Sequence, residues 1–569
     1  MRKNTNVSFI IPPIIPIGDL RKSVDPNLRW GDIVSMPMGP LSIASYTRKY
    51  AGVDFEILDL NVEIARHRNE FMYMKWDNFL QERLLKLDIE QYPDIVGISA
   101  IFNSNMGYLD LISAIAKKLW PEALVVAGGG LPTNLYSAVL DFAPAIDAVA
   151  IGEGEKPFCG LVLASNRMEY LETAPGWVTR KRVKAGLAPT VDLVSDLDEI
   201  PFLAYDLLEF EQYQKINRSH GEKQYNTISA SIITSLGCLY RCTFCASHSV
   251  HGRKMRYHSL DRILADIRRL KQTYGVNLVL IEDDQFIHNK QNALRILEEI
   301  SNLDIRIEFP NGLSIAHLDE DVINALKVAR VKTVTLGVES GSERVLNEVI
   351  HKPYRKLSMV RKVVSMLRKK DIYTRAFFII GFPGETKEEI LESVRFMKDV
   401  GFNWVAIMLA APIAGSELYE ICKKNNMLIS DKLENFYCGK CNIRLPHSTP
   451  EEIEKLRYLI NLDVNFVENY DLKRGRPKIA LIGFEDVINR IPDHAFAHYY
   501  ASVCYKMMGR LDLERSFLKK YREIVDLSEY WAEYARYFNL QFKFCKLKSR
   551  TRQGERKNER KIVCRNEDK

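Results

Sequence analysis

Three thiols, Cys238, Cys242 and Cys245, stand within eight positions of one another in SLGCLYRCTFCASH, residues 235–248. At this chain's cysteine frequency a Cys-x3-Cys-x2-Cys pattern arises by chance with a probability of roughly 0.003. A single Cys-x2-Cys pair, such as Cys438 and Cys441 in FYCGKC, arises with roughly 0.2 and carries little weight. The triplet therefore reads as a metal site. Structural zinc asks for four nitrogen or sulfur ligands, and His248 and His251 could complete such a set. Structural zinc usually draws on two short ligand pairs from separate loops, however, and this is one continuous loop. A cubane of four irons can be held at three corners by one loop of thiolates, leaving one iron open. An open position is what a catalytic metal needs, whereas a purely electron-carrying cluster takes four cysteines.

The elements around the triplet predict where it sits. From Ser231 onward, apolar runs ending at ASIITS, VNLVLIED, IRIEFP, KTVTLGVES, YTRAFFIIG and NWVAIMLAA alternate with helical stretches such as LDRILADIRRLKQTYG and TKEEILESVRFMKDVG. Six βα units predict a partial barrel whose chemistry belongs at the carboxyl ends of its strands, and the cysteine loop follows the first of them. Upstream, VSFII, DFEILDL, DIVGISA, ALVVAGG and DAVAIGE alternate with amphipathic segments. Such runs predict a doubly wound, Rossmann-like parallel sheet that takes ligands beyond its strand ends. Those ends fall at Pro12-Pro13, Ser99, Gly128-Gly129-Gly130 and Gly152-Glu153-Gly154. Glycines there suit either close approach of a flat ligand or a tight βα turn.

The chain thus reads as α/β with five parts: 1–175, the Rossmann-like domain; 176–228, a hairpin (GWVTRKRVKAGLAPTV) and linker; 229–425, the barrel; 426–545, a helical C-terminal domain; and 546–569, a basic tail. The helical part opens on Thr449 with Glu452 three residues later, as in a capping box. It ends in a helical hairpin that turns at Gly509 and weakly resembles a tetratricopeptide unit.

Totals narrow the setting. Ten unevenly spaced cysteines in 569 residues do not make a secreted disulfide scaffold, so reduced thiols in a cytoplasmic compartment are expected. No apolar run reaches the ~18 residues of a membrane span, and the N-terminal apolar run is broken by Pro12, Pro13 and Pro16, so a soluble protein is expected. The net charge of +7 is 80 basic minus 73 acidic residues. The tail from Lys546 holds ten basic and four acidic residues, leaving +1 for the rest. A neutral body gives no reason to expect specific nucleic-acid binding.

With these residues in view, CLYRCTFC resembles the signature loop of the radical S-adenosylmethionine superfamily, Phe244 before the third cysteine included. LIEDDQF, GVESGSERVL and IIGFPGET are similar to that family's later motifs, in the same order. The resemblance implies a 4Fe-4S cluster on Cys238, Cys242 and Cys245 whose open iron chelates S-adenosylmethionine and reduces it to a 5′-deoxyadenosyl radical. It assigns Glu282 and Glu339 to the amino group and ribose, Ser340 to an assisting role, and Gly381 to Gly384 to the adenine. A Rossmann-like domain before such a barrel resembles the cobalamin-binding arrangement, which implies corrin contacts near Ser99, Gly128 to Gly130 and Gly152 to Gly154. The Asp-x-His-x-x-Gly box that supplies a lower histidine to cobalt is missing, because PPIIPIGDL follows the first strand. Cobalamin would then be base-off, without a protein histidine.

The function implied is methylation of an unactivated carbon, one S-adenosylmethionine methylating the corrin and a second generating the radical. An external electron donor such as flavodoxin or ferredoxin is implied as partner. The alternatives are a non-methylating cyclisation or oxidation like that of anaerobic magnesium-protoporphyrin ester cyclases, and a zinc-stabilised scaffold.

Overall fold

A computed structural model describes residues 5–20, 34–87, 92–217, 227–430, 436 and 439–540. The first unit is a six-stranded sheet in the order β2-β1-β3-β4-β5-β6. Its strands are β1 (Val7–Ile11), β2 (Phe55–Asp59), β3 (Ile95–Ser99), β4 (Leu124–Gly128), β5 (Ala148–Ala150) and β6 (Trp177–Thr179). β1 to β5 are parallel and nearly continuous in apolar character, as a sheet covered on both faces requires. The helix Met106–Leu119 shows the covering principle: Tyr108, Leu109, Ile112 and Ala116 recur at helical spacing and are buried against the sheet. The chain reverses direction between β1 and β3, and the crevice beyond those strand ends is the natural ligand position.

The hairpin expected from residue 176 is not formed. Trp177, Val178 and Thr179 instead pair antiparallel with β5 and extend the first sheet past residue 175. The fully buried Trp177 supplies the reason, since its indole packs in the core and donates to the Pro157 carbonyl. Arg180–Lys184 then forms a helical turn capped by the Thr179 hydroxyl. Beyond it, Tyr213 donates to Asp59 of the first sheet at 2.7 Å and Tyr205 donates to the Ser231 carbonyl of the barrel, so this linker straps the two sheets together.

All six expected barrel strands form. β7 (Ser229–Ile232), β10 (Leu278–Ile281) and β11 (Arg306–Glu308) make one parallel sheet. β12 (Thr333–Glu339), β13 (Tyr373–Ile380) and β14 (Trp404–Leu409) make another. A parallel bridge between Leu313 and Leu336 joins them. Between β7 and β10 a two-stranded ribbon, β8 (Ser235–Leu236) with β9 (Arg256–Tyr257), frames the cysteine loop.

β7 and β14 do not pair, so β14 ends the sheet with unpaired backbone groups. Asn465 closes that edge: its Oδ1 accepts from Val405 N at 2.9 Å and its Nδ2 donates to Val405 O at 2.7 Å. The C-terminal helices are thereby docked on the barrel. The helices begin at Pro450 with Thr449 as the cap, as expected, and the bridges Leu428–Ile443 and Leu445–Ser448 precede them within the part expected from 426. The capping box of Thr449 and Glu452 is formed, and the hairpin turns at Gly509 as expected. Among the described residues no helix is long and apolar enough to cross a membrane. The tail 546–569 lies outside the described residues.

Replacing Asn465 with Leu strands a buried N–H and C=O of β14, each costing about 1–3 kcal/mol. Chemical denaturation of the apoprotein should show a loss of roughly 2 kcal/mol or more; an unchanged midpoint would refute the edge-closing role.

Candidate active site

The cysteine loop has little secondary structure of its own and is held from outside. Asp283, 3 % exposed at the end of β10, accepts from Thr234 N at 2.6 Å, Thr234 Oγ1 at 2.5 Å and Ser235 Oγ at 2.7 Å. Burial raises its carboxyl to about 6 against the opposing effect of those hydrogen bonds. At the far end Thr243 donates from N and Oγ1 to the carbonyls of Ile350 and Val349, and its own carbonyl accepts from Leu418 N at 2.8 Å. Gly237 has φ +98°, and any Cβ there would fall 2.4 Å from the Lys254 carbonyl oxygen. The loop therefore starts flush against the ribbon.

Cys238, Cys242 and Cys245 are half-buried at the barrel rim, on one loop as expected. Burial pushes all three thiols up, Cys245 to about 12, so without a compensating cation they stay protonated. Among the described residues no set of three or more His, Cys, Asp or Glu is already gathered into ion-holding geometry. The donor set itself, three thiols on one loop, fits iron–sulfur ligation. His251, one of the two residues that could have completed a zinc site, is turned to Glu153 through Nδ1 at 2.9 Å. Of the other cysteine pair, Cys441 is buried and donates to the Ile443 carbonyl, and Cys438 lies outside the described residues.

The other barrel residues divide. Glu282 is half-buried on the rim, where its Oε1 accepts from Ser231 Oγ at 3.0 Å. Glu339 ends β12 in a left-handed conformation, φ +71°, and accepts from Lys352 Nζ at 3.1 Å. A Cβ on Gly337 would fall 2.8 Å from Glu339 Oε1 and 3.3 Å from Lys352 Nζ, so the glycine makes room for the pair. Lys352, which no spacing in the sequence marks, places a buried positive charge that acts on Cys242. Ser340 is fully buried, its Oγ lies 3.2 Å from Ser393 Oγ, and it accepts from Ser342 N. With Gly341 N on Ser393 Oγ, it ties β12 to the helix Lys387–Val400. The ring of Phe244 lies 6.3 Å from that of Phe382, joining the cysteine loop to the loop of Gly381 and Gly384. Glu385, in the same motif, accepts from Gly381 N at 2.7 Å while its Oε1 is buried without a partner. That orphaned oxygen, beside backbone left open at Gly384, fits a ligand hydrogen-bond donor.

In the first sheet, Ser99 is half-buried opposite Gly128. The glycines serve the protein's own packing: a Cβ on Gly129 would fall 2.4 Å from Ala100 O, on Gly130 2.9 Å from Ile101 O, and on Gly154 2.4 Å from Ile43 Cδ1. Gly152, φ +79°, is pressed between Val191 and the Val250 carbonyl. Glu153 takes a two-pronged pair with Arg256, at 2.8 and 2.5 Å, as well as His251. Burial alone would push its carboxyl up, but these two cations hold it below the ordinary value.

The strand ends of the two sheets face each other. Asn103 Oδ1 accepts from Ala414 N and its Nδ2 donates to Pro412 O, while Asn134 is packed against Gly415. Beside these contacts Ile101 and Phe102 remain 57 % and 43 % exposed, with Ile14 near them on the first strand's exit loop.

Burial raises the Glu385 carboxyl to about 7 from a model-peptide value near 4.5. Its contribution to stability is thus fully present below pH about 4.5 and lost as pH rises through about 7. Glu385→Gln should gain stability relative to the parent apoprotein as pH rises from 5 to 8; a pH-independent difference would contradict the buried carboxyl.

Residues 34–162 match the B12 binding domain, and residues 232–397 match the Radical SAM superfamily. An uncharacterized methyltransferase of Pyrococcus horikoshii is 31 % identical over 367 residues, 64 % of this chain and 77 % of that protein. The cobalamin-dependent S-adenosylmethionine radical enzyme OxsB, solved with aqua-cobalamin and S-adenosylmethionine, aligns with a TM-score of 0.63 at 14 % identity over 95 % of this chain and 80 % of its own. The radical S-adenosylmethionine methyltransferase TsrM of Kitasatospora setae, solved with cobalamin and a [4Fe-4S] cluster, aligns with 0.58 at 17 % identity over 92 % and 100 %. An α/β chain with a B12-binding sheet, a six-stranded barrel and a three-thiol rim loop, matched in this way, belongs to the cobalamin-binding radical S-adenosylmethionine family of methyltransferase-like enzymes.

Proposed function

We propose that this chain methylates an unactivated carbon, with Cys238, Cys242 and Cys245 holding the cluster and the first sheet holding cobalamin with no protein histidine on cobalt. The observation that carries the reading is the juxtaposition of the half-buried thiols with the strand ends of the first sheet: the helix Ser247–His251 follows Cys245 directly, and Gly152 is pressed on its Val250 carbonyl. When bound, the cluster would supply the electron that cleaves S-adenosylmethionine to a hydrogen-abstracting radical, and cobalamin would supply the methyl carrier.

The chain's own residues do the positioning. Glu282 and Glu339 offer carboxylates to the amino group and ribose, Lys352 offsets negative charge at the thiols, and Glu385 with the Gly381–Gly384 backbone flanks the adenine. Phe244 and Phe382 close the side between the loops and keep water out. Ser340 sets the end of β12 at one remove. Ile14, Ile101 and Phe102 present apolar surface to a corrin, and Ser99 with the Gly128–Gly130 turn forms its floor.

Two features support the base-off reading. The loop after β1 carries no histidine, and His67, the one histidine in residues 1–175, is held by Glu63 and Glu70 on the outside of the domain. Unpaired thiols and an oxygen-sensitive cluster suit a reducing cytoplasmic setting, with a flavodoxin or ferredoxin as the external donor.

Anaerobic reconstitution followed by addition of reductant and S-adenosylmethionine should yield 5′-deoxyadenosine. Cys242→Ala should drop that yield at least a hundredfold while leaving corrinoid affinity within about threefold; retained cleavage sinks the cluster assignment. Electron paramagnetic resonance of bound cob(II)alamin should lack nitrogen splitting, and a nitrogen splitting would place a base on cobalt and overturn the base-off reading.

A further inference from the structure

We propose that Glu153 is a positioning residue: its carboxylate holds the returning limb of the cysteine excursion, whose β9 is paired with β8 at the loop's start, and so fixes the separation between the cluster site on the barrel and the corrin site on the first sheet. The inference rests on the cofactor reading above.

Glu153 belongs to the first sheet, in the loop after β5, yet both of its partners belong to the barrel's cysteine excursion. Arg256 lies in β9, in register with Leu236, two residues before Cys238. His251 ends the short helix that follows Cys245. Both partners lie after the last thiol, and the entry before the first thiol is reached through the pairing of β9 with β8. Arg256 is itself pinned, donating to the Val194 carbonyl of the linker at 2.6 Å and to the His251 carbonyl at 3.1 Å. Glu153 and Arg256 are both buried. A charge there needs its partners, and a planar guanidinium on a carboxylate fixes orientation as well as distance.

The surroundings leave no slack. Gly152 is pressed against the carbonyl of Val250, one residue before His251, and the helix Gly130–Asn134 packs against the helix Ser247–His251. The next carboxylate, Glu155, is buried but turned the other way, bonded to Ser42 at 2.5 Å. Of the two glutamates in this loop, only Glu153 bridges the domains. Methyl transfer between S-adenosylmethionine held at the thiols and a corrin held by the first sheet would need the two sites at a fixed separation, and a movement of about 1 Å would cost on the order of a hundredfold in rate. The bonds of Glu153 go to Arg256 and His251, so its effect is carried by the loop.

The test compares the wild-type holoprotein with the Glu153→Ala, Arg256→Ala double variant, which removes both buried charges together, and with Arg256→Lys, which keeps the charge but loses the fork. Each is loaded with iron, sulfide and cobalamin. The dipolar coupling between the reduced cluster and cob(II)alamin is measured by pulsed electron paramagnetic resonance. Iron content, 5′-deoxyadenosine formation and transfer of an isotope-labelled methyl group from S-adenosylmethionine to the corrin are measured alongside. Expected in both variants are iron and 5′-deoxyadenosine within twofold of wild type, a broadened spin–spin distance distribution, and methyl transfer down at least tenfold for the double variant. A wild-type distance distribution in either variant overturns the positioning role. So does a parallel loss of iron and 5′-deoxyadenosine, which would make Glu153 a part of the loop's own fold. Wild-type protein that takes up no corrin would instead overturn the cofactor reading beneath it.

Discussion

Three half-buried thiols on an irregular loop carry no regular ladder to hold them, and every other feature of the site follows from how that deficit is met. The loop is suspended from buried groups of other elements: Asp283 at its entry, Thr243 within it, and the Glu153 pair on its returning limb. Buried carboxylates are costly unless fully bonded, and here each is bonded two or three times. Removing one partner of such a pair costs about 3–5 kcal/mol, so the loop geometry is enforced by a penalty comparable with a large share of a domain's stability.

The same logic places Lys352. Thiols forced up by burial disfavour the thiolate form that iron requires. A cation held between Glu339 and the loop partly offsets that cost, and Gly337 leaves the space it needs. The left-handed backbone of Glu339 shows that the strand end is bent to this purpose. On the opposite wall the glycine turns bring the strand ends of the first sheet close to the barrel, with apolar Ile101 and Phe102 left uncovered between them.

Much of this was legible in the sequence. Continuous apolar runs of strand length gave six barrel strands and five parallel strands of the first sheet, and the cysteine spacing marked the loop, because both signals are local. What was not legible depends on partners far along the chain. The contact of Ser340 with Ser393, on the helix Lys387–Val400, leaves no local mark in the sequence. Glu153 sits in a glycine turn typical of a ligand loop, but its partners lie about a hundred residues away. Asp283 stands beside Asp284 in LIEDDQF, and that local stretch does not show that it is buried. Trp177 reads as the start of a hairpin because alternation cannot show which existing edge a short strand will join.

The central claim is that the fourth iron is left open for S-adenosylmethionine. Electron–nuclear double resonance on the reduced, reconstituted protein with S-adenosylmethionine carrying a ¹⁵N amino group and ¹⁷O carboxylate addresses it directly. Hyperfine coupling of both labels to the cluster is the expected result. A reduced cluster with neither coupling, under conditions where S-adenosylmethionine is bound, would contradict the account.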